Sequence, residues 1–210
     1  MSLIAIFCLD CTDSGNKAES AVKALNNPVR HTSDLNSERA FLNLLEEFEN
    51  DPYQIAQADV DSISKIIRSA GLFRKKAAVI KDVLNQIHGK LNSFDLNFLQ
   101  YMPLQEAKRW LIDLNGVGPK TAAIVLCFCF GMPAMPVDTH VHRVSKRLGL
   151  ISSKVTAEDA HEILESKVDP DIVFPFHMYL IKHGRDTCKA LKPRCSECSL
   201  SQICPSSSVS

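Results

Sequence analysis

Leu114-Asn115-Gly116-Val117-Gly118-Pro119-Lys120-Thr121-Ala122 is the stretch on which the fold turns. Its two glycines interrupt a helical pattern, and a proline standing where a first helical turn accepts one restarts it. The reading is helix, tight turn, helix. The second helix continues through the apolar residues 122–129, and its first N–H groups, which no carbonyl of the same helix reaches, make a place for an anion. One phosphate of a nucleic-acid backbone fits there without any base being read. A Gly-x-Gly turn is also the chemistry of a plain αα-hairpin, and Lys120 is what separates the two readings. It sits at the positive end of the helix, where the ammonium form is disfavoured and the neutral amine becomes a nucleophile. The blander reading is a solvated lysine or a simple phosphate contact.

Outward from the hairpin, the pattern is helical throughout. Phe41, Leu44, Leu45 and Phe48 form one apolar stripe, Ile63, Ile66 and Ile67 a second, and Ala77, Ile80, Leu84 and Ile87 a third. Breakers at Asn50-Asp51-Pro52, Ala70-Gly71, His88-Gly89, Met102-Pro103, 131–136 and Asp169-Pro170 separate them. Asp138 and Thr156 have the chemistry of N-caps. An all-α protein with short connections is expected, with a short helix over 17–25 and a disordered tail over 206–210. The 210 residues carry zero net charge and 45% hydrophobic residues, enough for a core without disulfide staples. The longest apolar run, 122–132, falls short of the ~20 residues of a membrane span, and 3–9 lacks the basic flank of a secretory signal. A cytosolic protein is expected, nucleoid-associated if the source is prokaryotic. Neutrality excludes coating nucleic acid by bulk charge but not local basic patches.

Two further clusters carry chemistry. Pro136-Val137-Asp138-Thr139-His140-Val141-His142-Arg143 places a carboxylate at a helix start, ionised and fixed in direction, as suits a base or the partner of a developing cation. His140 and His142, two apart on a helix, face away from each other and do not share a metal. The second cluster takes four of the eight cysteines, as Cys188-x6-Cys195-x2-Cys198-x5-Cys204. Four thiolates this close in sequence close around one centre, either a tetrahedral zinc or a [4Fe-4S] cube. Zinc ribbons usually join two Cys-x2-Cys hooks and only one is here, which favours the cube. Lys189, Lys192 and Arg194 lie between the ligands and can grip phosphates. Cys8-x2-Cys11 has hook spacing but no second pair, and Cys127 and Cys129 read as core.

Hairpin, Val-Asp-Thr-His and cysteine loop, in that order, resemble the endonuclease III family of DNA glycosylases from about residue 31 to 204. The resemblance implies a helix-hairpin-helix fold. A six-helix barrel domain over 29–132 would carry the hairpin, and a second helical domain over 1–28 and 133–205 would hold the iron-sulfur cluster, with the catalytic cleft between them. It implies Lys120 as the Schiff-base lysine and Asp138 as the catalytic aspartate. Cys188, Cys195, Cys198 and Cys204 would be the [4Fe-4S] ligands, and Gly116, Val117 and Gly118 the phosphate-binding hairpin. Leu72, in Gly71-Leu72-Phe73, matches the position that wedges into the base stack; His140, Arg143, Lys189, Lys192 and Arg194 complete the expected DNA contacts. The family's Ser-Gln, whose glutamine fills the gap left by a flipped base, is changed or absent here: in the preferred register Val29-Arg30 stand in its place, ahead of His31-Thr32-Ser33-Asp34, while a second register through Cys11-Thr12-Asp13 puts Leu9 at the glutamine position but leaves a long insertion before Gly71.

The implied activity is bifunctional: excision of damaged bases, oxidised pyrimidines foremost, and strand cleavage 3′ to the abasic site by β-elimination. A target base must leave the stack to be reached, so the implied partner is double-stranded DNA bearing damaged bases or abasic sites, met by a monomer with no membrane. Three other readings stand beside it: a DNA-binding damage sensor without catalysis, a glycosylase for uracil or mismatched thymine, and an electron carrier, which would leave the hairpin unexplained.

Overall fold

The computed structural model describes residues 32–208, and all regular structure among them is helical. The chain divides after Phe130 into two compact units. In the first, α1 (Thr32–Glu47), α2 (Pro52–Gln57), α3 (Val60–Ile66) and α4 (Phe73–Leu91) pack around Leu44, Ile55, Ile63, Ile67, Ala77, Ile80 and Leu84. Burying each such aliphatic side chain contributes roughly 1.5–3 kcal/mol. The joints are set by local chemistry. Asp51 accepts the Tyr53 N–H at 2.8 Å to start α2, and Asp59 accepts the Ser62 N–H at 2.9 Å and its hydroxyl at 2.7 Å to start α3. Those two bonds, the hydroxyl foremost, hold the Asp59 carboxyl below its ordinary value.

The break expected at His88-Gly89 is absent. Helix α4 runs through Gly89 to Leu91 and stops at Asn92, whose φ is +50°. A lone helical glycine costs about 1 kcal/mol against alanine, less than the buried stripe Ala77, Ile80, Val83, Leu84 and Ile87 contributes. A 3₁₀ turn at Asn97–Tyr101 leads into α5 (Leu104–Ile112), and α6 (Pro119–Phe130) follows the hairpin. Cys127 and Cys129 are buried in α6, as read from the sequence.

The second unit opens with a segment, 131–138, that has no regular structure. Then come α7 (Thr139–Arg147), α8 (Ala157–Glu165), a 3₁₀ turn at Pro170–Ile172, α9 (Val173–Asp186) and the cysteine loop. Helices α7 and α9 pack together, and Val141, Val144, Leu164, Val173 and Leu180 are buried. Asp138 and Thr156 are N-caps as expected. The tail departs from expectation over 206–208: the Ser207 N–H donates to the Cys204 carbonyl at 3.0 Å, and Ser208 hydrogen-bonds the Cys195 thiol. These serines are held by the loop they follow. The helix read over 17–25, the Cys8 and Cys11 pair, Val29-Arg30 and residues 209–210 lie outside the described residues.

Candidate active site and nucleic-acid interface

In the first unit the hairpin is built from α5, its turn and α6. The Val117 N–H closes on the Leu114 carbonyl at 3.0 Å, and the α6 ladder begins with the Ala122 N–H on the Gly118 carbonyl at 3.0 Å. Helix α4 braces the turn: Gln86 Oε1 accepts the Asn115 N–H at 2.9 Å, and Lys90 pairs with Asp113. The two glycines differ. Gly116 has φ +90°, and a Cβ there would stand 2.6 Å from Val79 Cγ1, so backbone and packing both require glycine. At Gly118 a Cβ would meet nothing within 4 Å, so the protein's own packing does not ask for glycine there. Its bareness leaves the start of α6 open to a close ligand. Val117 is buried, with its N–H used inside the turn, and therefore anchors the hairpin from within. Lys120, second residue of α6, is exposed.

Gly71 (φ +64°) and Leu72 (φ +48°) bring Leu72 out at the start of α4, 75% exposed. A left-handed, solvent-facing leucine is unfavourable on both counts, and folding alone gives no reason for it. Lys76 Nζ donates to the Ala70 carbonyl at 2.6 Å and steadies the turn beside it; partial burial pulls its amine below the ordinary lysine value.

In the second unit, Asp138 is half-buried, and its Oδ1 accepts the Val141 N–H at 2.7 Å, which fixes the carboxylate's direction. The segment before it is gripped by side chains. Met135 donates its N–H to Glu165 Oε1 at 2.8 Å, His161 Nδ1 donates to the Met135 carbonyl at 2.7 Å, and His177 Nδ1 donates to the Pro136 carbonyl at 2.9 Å. Nothing in the sequence reading picked out His161, Glu165 or His177; the one available signal was a histidine on the apolar face of each of two helices. His140 and His142 diverge as expected, toward Arg143 Nη2 (3.2 Å) and the Val155 carbonyl (3.0 Å) respectively.

All four cysteines line one cavity whose wall includes Arg147, His183 and Arg194. The donors around them suit thiolates. Hydrogen bonds from Ser208, backbone first, hold the Cys195 thiol below its ordinary value, with the charge of Arg147 adding to them. Arg147 Nη1 donates to Cys188 Sγ at 3.3 Å, and His183 Nε2 stands 3.9 Å from Cys198 Sγ. Partial burial lowers the His183 imidazole, which the charge of Asp186 partly offsets. Among the described residues no three His, Cys, Asp or Glu side chains converge as ligands of a single metal ion.

The basic residues of this region split by type. Arg143 donates to the carbonyls of Gly184 (2.8 Å), Cys188 (3.1 and 3.2 Å) and Thr139 (3.3 Å). Arg147 reaches the carbonyls of Lys189 (2.7 Å) and Ala190 (3.1 Å), and Arg194 reaches the Asp186 carbonyl and Glu197 Oε2. A rigid fork of donors serves a loop whose carbonyls have no ladder. Arg143 and Arg194, read from the sequence as DNA contacts, therefore spend these donors on the protein. Lys189 and Lys192 are exposed. Lys182, just before the loop, is paired with Asp186 at 3.1 Å.

Residues 31–170 match the family model described as HhH-GPD superfamily base excision DNA repair protein. The chain is 37% identical over 153 residues to an endonuclease III of Sulfolobus acidocaldarius, covering 73% of this chain and 66% of that one. To an endonuclease III of Thermotoga maritima it is 33% identical over 175 residues, covering 83% and 77%. Among solved structures it resembles an endonuclease III trapped as a covalent intermediate with DNA, in an estranged-adenine complex: TM-score 0.73, 28% identity, 95% of this chain and 93% of that one. The helix-hairpin-helix glycosylase fold expected from the sequence is the fold found. No helix among the described residues is long and apolar enough to cross a membrane.

Proposed function

The chain belongs to the HhH-GPD superfamily of base excision DNA repair proteins, as a DNA glycosylase of the endonuclease III kind with AP lyase activity, and we propose that Lys120 and Asp138 carry its chemistry. The observation that carries this reading is an exposed lysine in the first turn of the helix that follows a bare, braced glycine turn. The start of α6 takes a backbone phosphate, and Leu72 fills space in the stack as the damaged nucleotide turns out. The neutral amine of Lys120 attacks C1′ while the glycosidic bond breaks and the base leaves with the electron pair; Asp138 offsets the cationic character at the sugar. A proton passes from the new ammonium to O4′ as the C1′–O4′ bond breaks, which opens the sugar and leaves a protonated imine at C1′, whose C2′ proton is then taken by a base. The electrons freed at C2′ break the C3′–O bond, and the strand opens on the 3′ side. Water releases Lys120. A relative caught covalently on DNA supports this route. Oxidised pyrimidines are the proposed targets. The substrate puts the protein with the genome, hence in the cytoplasm if the source is prokaryotic.

Cys188, Cys195, Cys198 and Cys204 fit a [4Fe-4S] cluster by donor type and by sharing one cavity. Such a cluster supplies a rigid cross-link of the loop that presents Lys189 and Lys192 to DNA, and β-elimination calls for no electron from it. Borohydride treatment on a duplex with one abasic site tests the main reading. The protein is expected to give a covalent adduct and a cut strand, and Lys120→Ala neither. Asp138→Asn is expected to slow cleavage by about a hundredfold or more with DNA binding kept. A persistent adduct in Lys120→Ala removes that lysine from its role.

A further inference from the structure

We propose that His177 and His161, with Glu165, are positioning residues for Asp138: a buried clamp that sets where the carboxylate stands by holding the backbone just before it. This rests on the role of Asp138 proposed above. The segment 131–138 has no helix or sheet ladder, so its backbone polar groups must find partners elsewhere. The Ala134 N–H turns back to the Met132 carbonyl at 2.8 Å, and Met135 and Pro136 find their partners on two helices. From α8, Glu165 accepts the Met135 N–H and the His161 Nδ1–H donates to the Met135 carbonyl; from α9, the His177 Nδ1–H donates to the Pro136 carbonyl. Met135 is wholly buried, and the two histidines are 6% and 2% exposed. A carbonyl only accepts, so both imidazoles must carry their proton on Nδ1, a tautomer dictated by the contact itself.

The clamp ends two residues before Asp138. Beyond it, the Asp138 carboxylate is tied forward into α7 by the Val141 N–H at 2.7 Å. Asp138 is thus fixed from both sides, forward by its cap and backward by the clamp. Pro136, held at its carbonyl and restricted in φ by its ring, leaves little slack between the two. The two histidine hydrogen bonds are buried and the Glu165 one is part-buried, which makes the histidine pair the costlier to lose. Catalytic carboxylates lose rate steeply when displaced, while DNA affinity depends on phosphate contacts made elsewhere.

The test is a double-mutant cycle on an abasic-site duplex, read as single-turnover cleavage rate and as DNA affinity, on the full chain. His177→Leu is expected to lower the rate by about tenfold to a hundredfold with affinity within about twofold of the parent. His177→Asn, whose amide N–H lies near the place of Nδ1, is expected to recover most of it. In the Asp138→Asn background His177→Leu should cost less than about twofold, because a residue that acts through Asp138 has nothing left to position. Equal losses in the two backgrounds, or a loss of affinity without loss of rate, overturns the proposal. If His177→Leu does not fold, Glu165→Leu, at a half-buried site, is read in the same two backgrounds by the same criteria. Asp138→Asn without any effect of its own would instead defeat the catalytic role of Asp138, a result distinct from additivity.

Discussion

At the scale of single residues, only one of the two hairpin glycines is required by folding. Gly116 answers to the protein, through its positive φ and the nearness of Val79, whereas nothing inside the unit explains Gly118. Gly116→Ala is expected to destabilise the chain by about 1–3 kcal/mol in denaturant melts. Adding Val79→Ala should return only part of that, since it relieves the contact and not the backbone. Gly118→Ala should melt within about 0.5 kcal/mol of the parent yet bind duplex DNA more weakly. Equal stability losses at the two positions would show that Gly118 serves packing after all. Leu72 belongs with Gly118: its left-handed backbone and solvent-facing side chain oppose stability, so folding does not account for it.

At the scale of elements, the cysteine loop shows why arginine and lysine are not equivalent. Three guanidinium groups supply the donors that a ladder would supply to regular structure, while Lys189 and Lys192 stand exposed. Lys189→Ala and Lys192→Ala are each expected to weaken DNA binding uniformly and to lower the slope of log affinity against log salt by about 1. Arg143→Ala and Arg147→Ala should loosen the loop, seen as earlier proteolysis within 187–204. A slope change from Arg143→Ala without added proteolysis would restore it to the DNA contacts. The sequence showed a basic loop but not this division, because the direction of a side chain depends on which carbonyls its neighbours leave open. Helix α4 offers a parallel: Gly89 read as a break, and the buried stripe on either side carried the helix through it.

At the scale of the whole molecule, the residues proposed for the chemistry fall in both units, Lys120 and the hairpin in one and Asp138 and the four clustered cysteines in the other. The protein as purified is expected to be coloured and to contain iron and acid-labile sulfide in equal amounts. Cys198→Ser should bleach it and weaken DNA binding; a colourless protein that contains zinc would overturn the cluster. How much of this was legible follows from what sequence spacing can encode. The helical stripes, the caps at Asp138 and Thr156, the glycine turn and the cysteine spacing are local, each decided by residues a few places apart, and a linear reading recovered them. The clamp on 131–138, the bracing of Asn115 by Gln86 and the inward turn of Arg143 join residues about 26 to 45 apart. By itself the sequence determined the all-α fold class and the family, and it supplied the residues proposed to carry the chemistry, because those rest on residue type and short spacing. Only the tertiary structure decided which basic residues face the protein, why Gly116 and Gly118 differ, and what holds Asp138, because buried polar groups take whichever partners packing brings within hydrogen-bond reach.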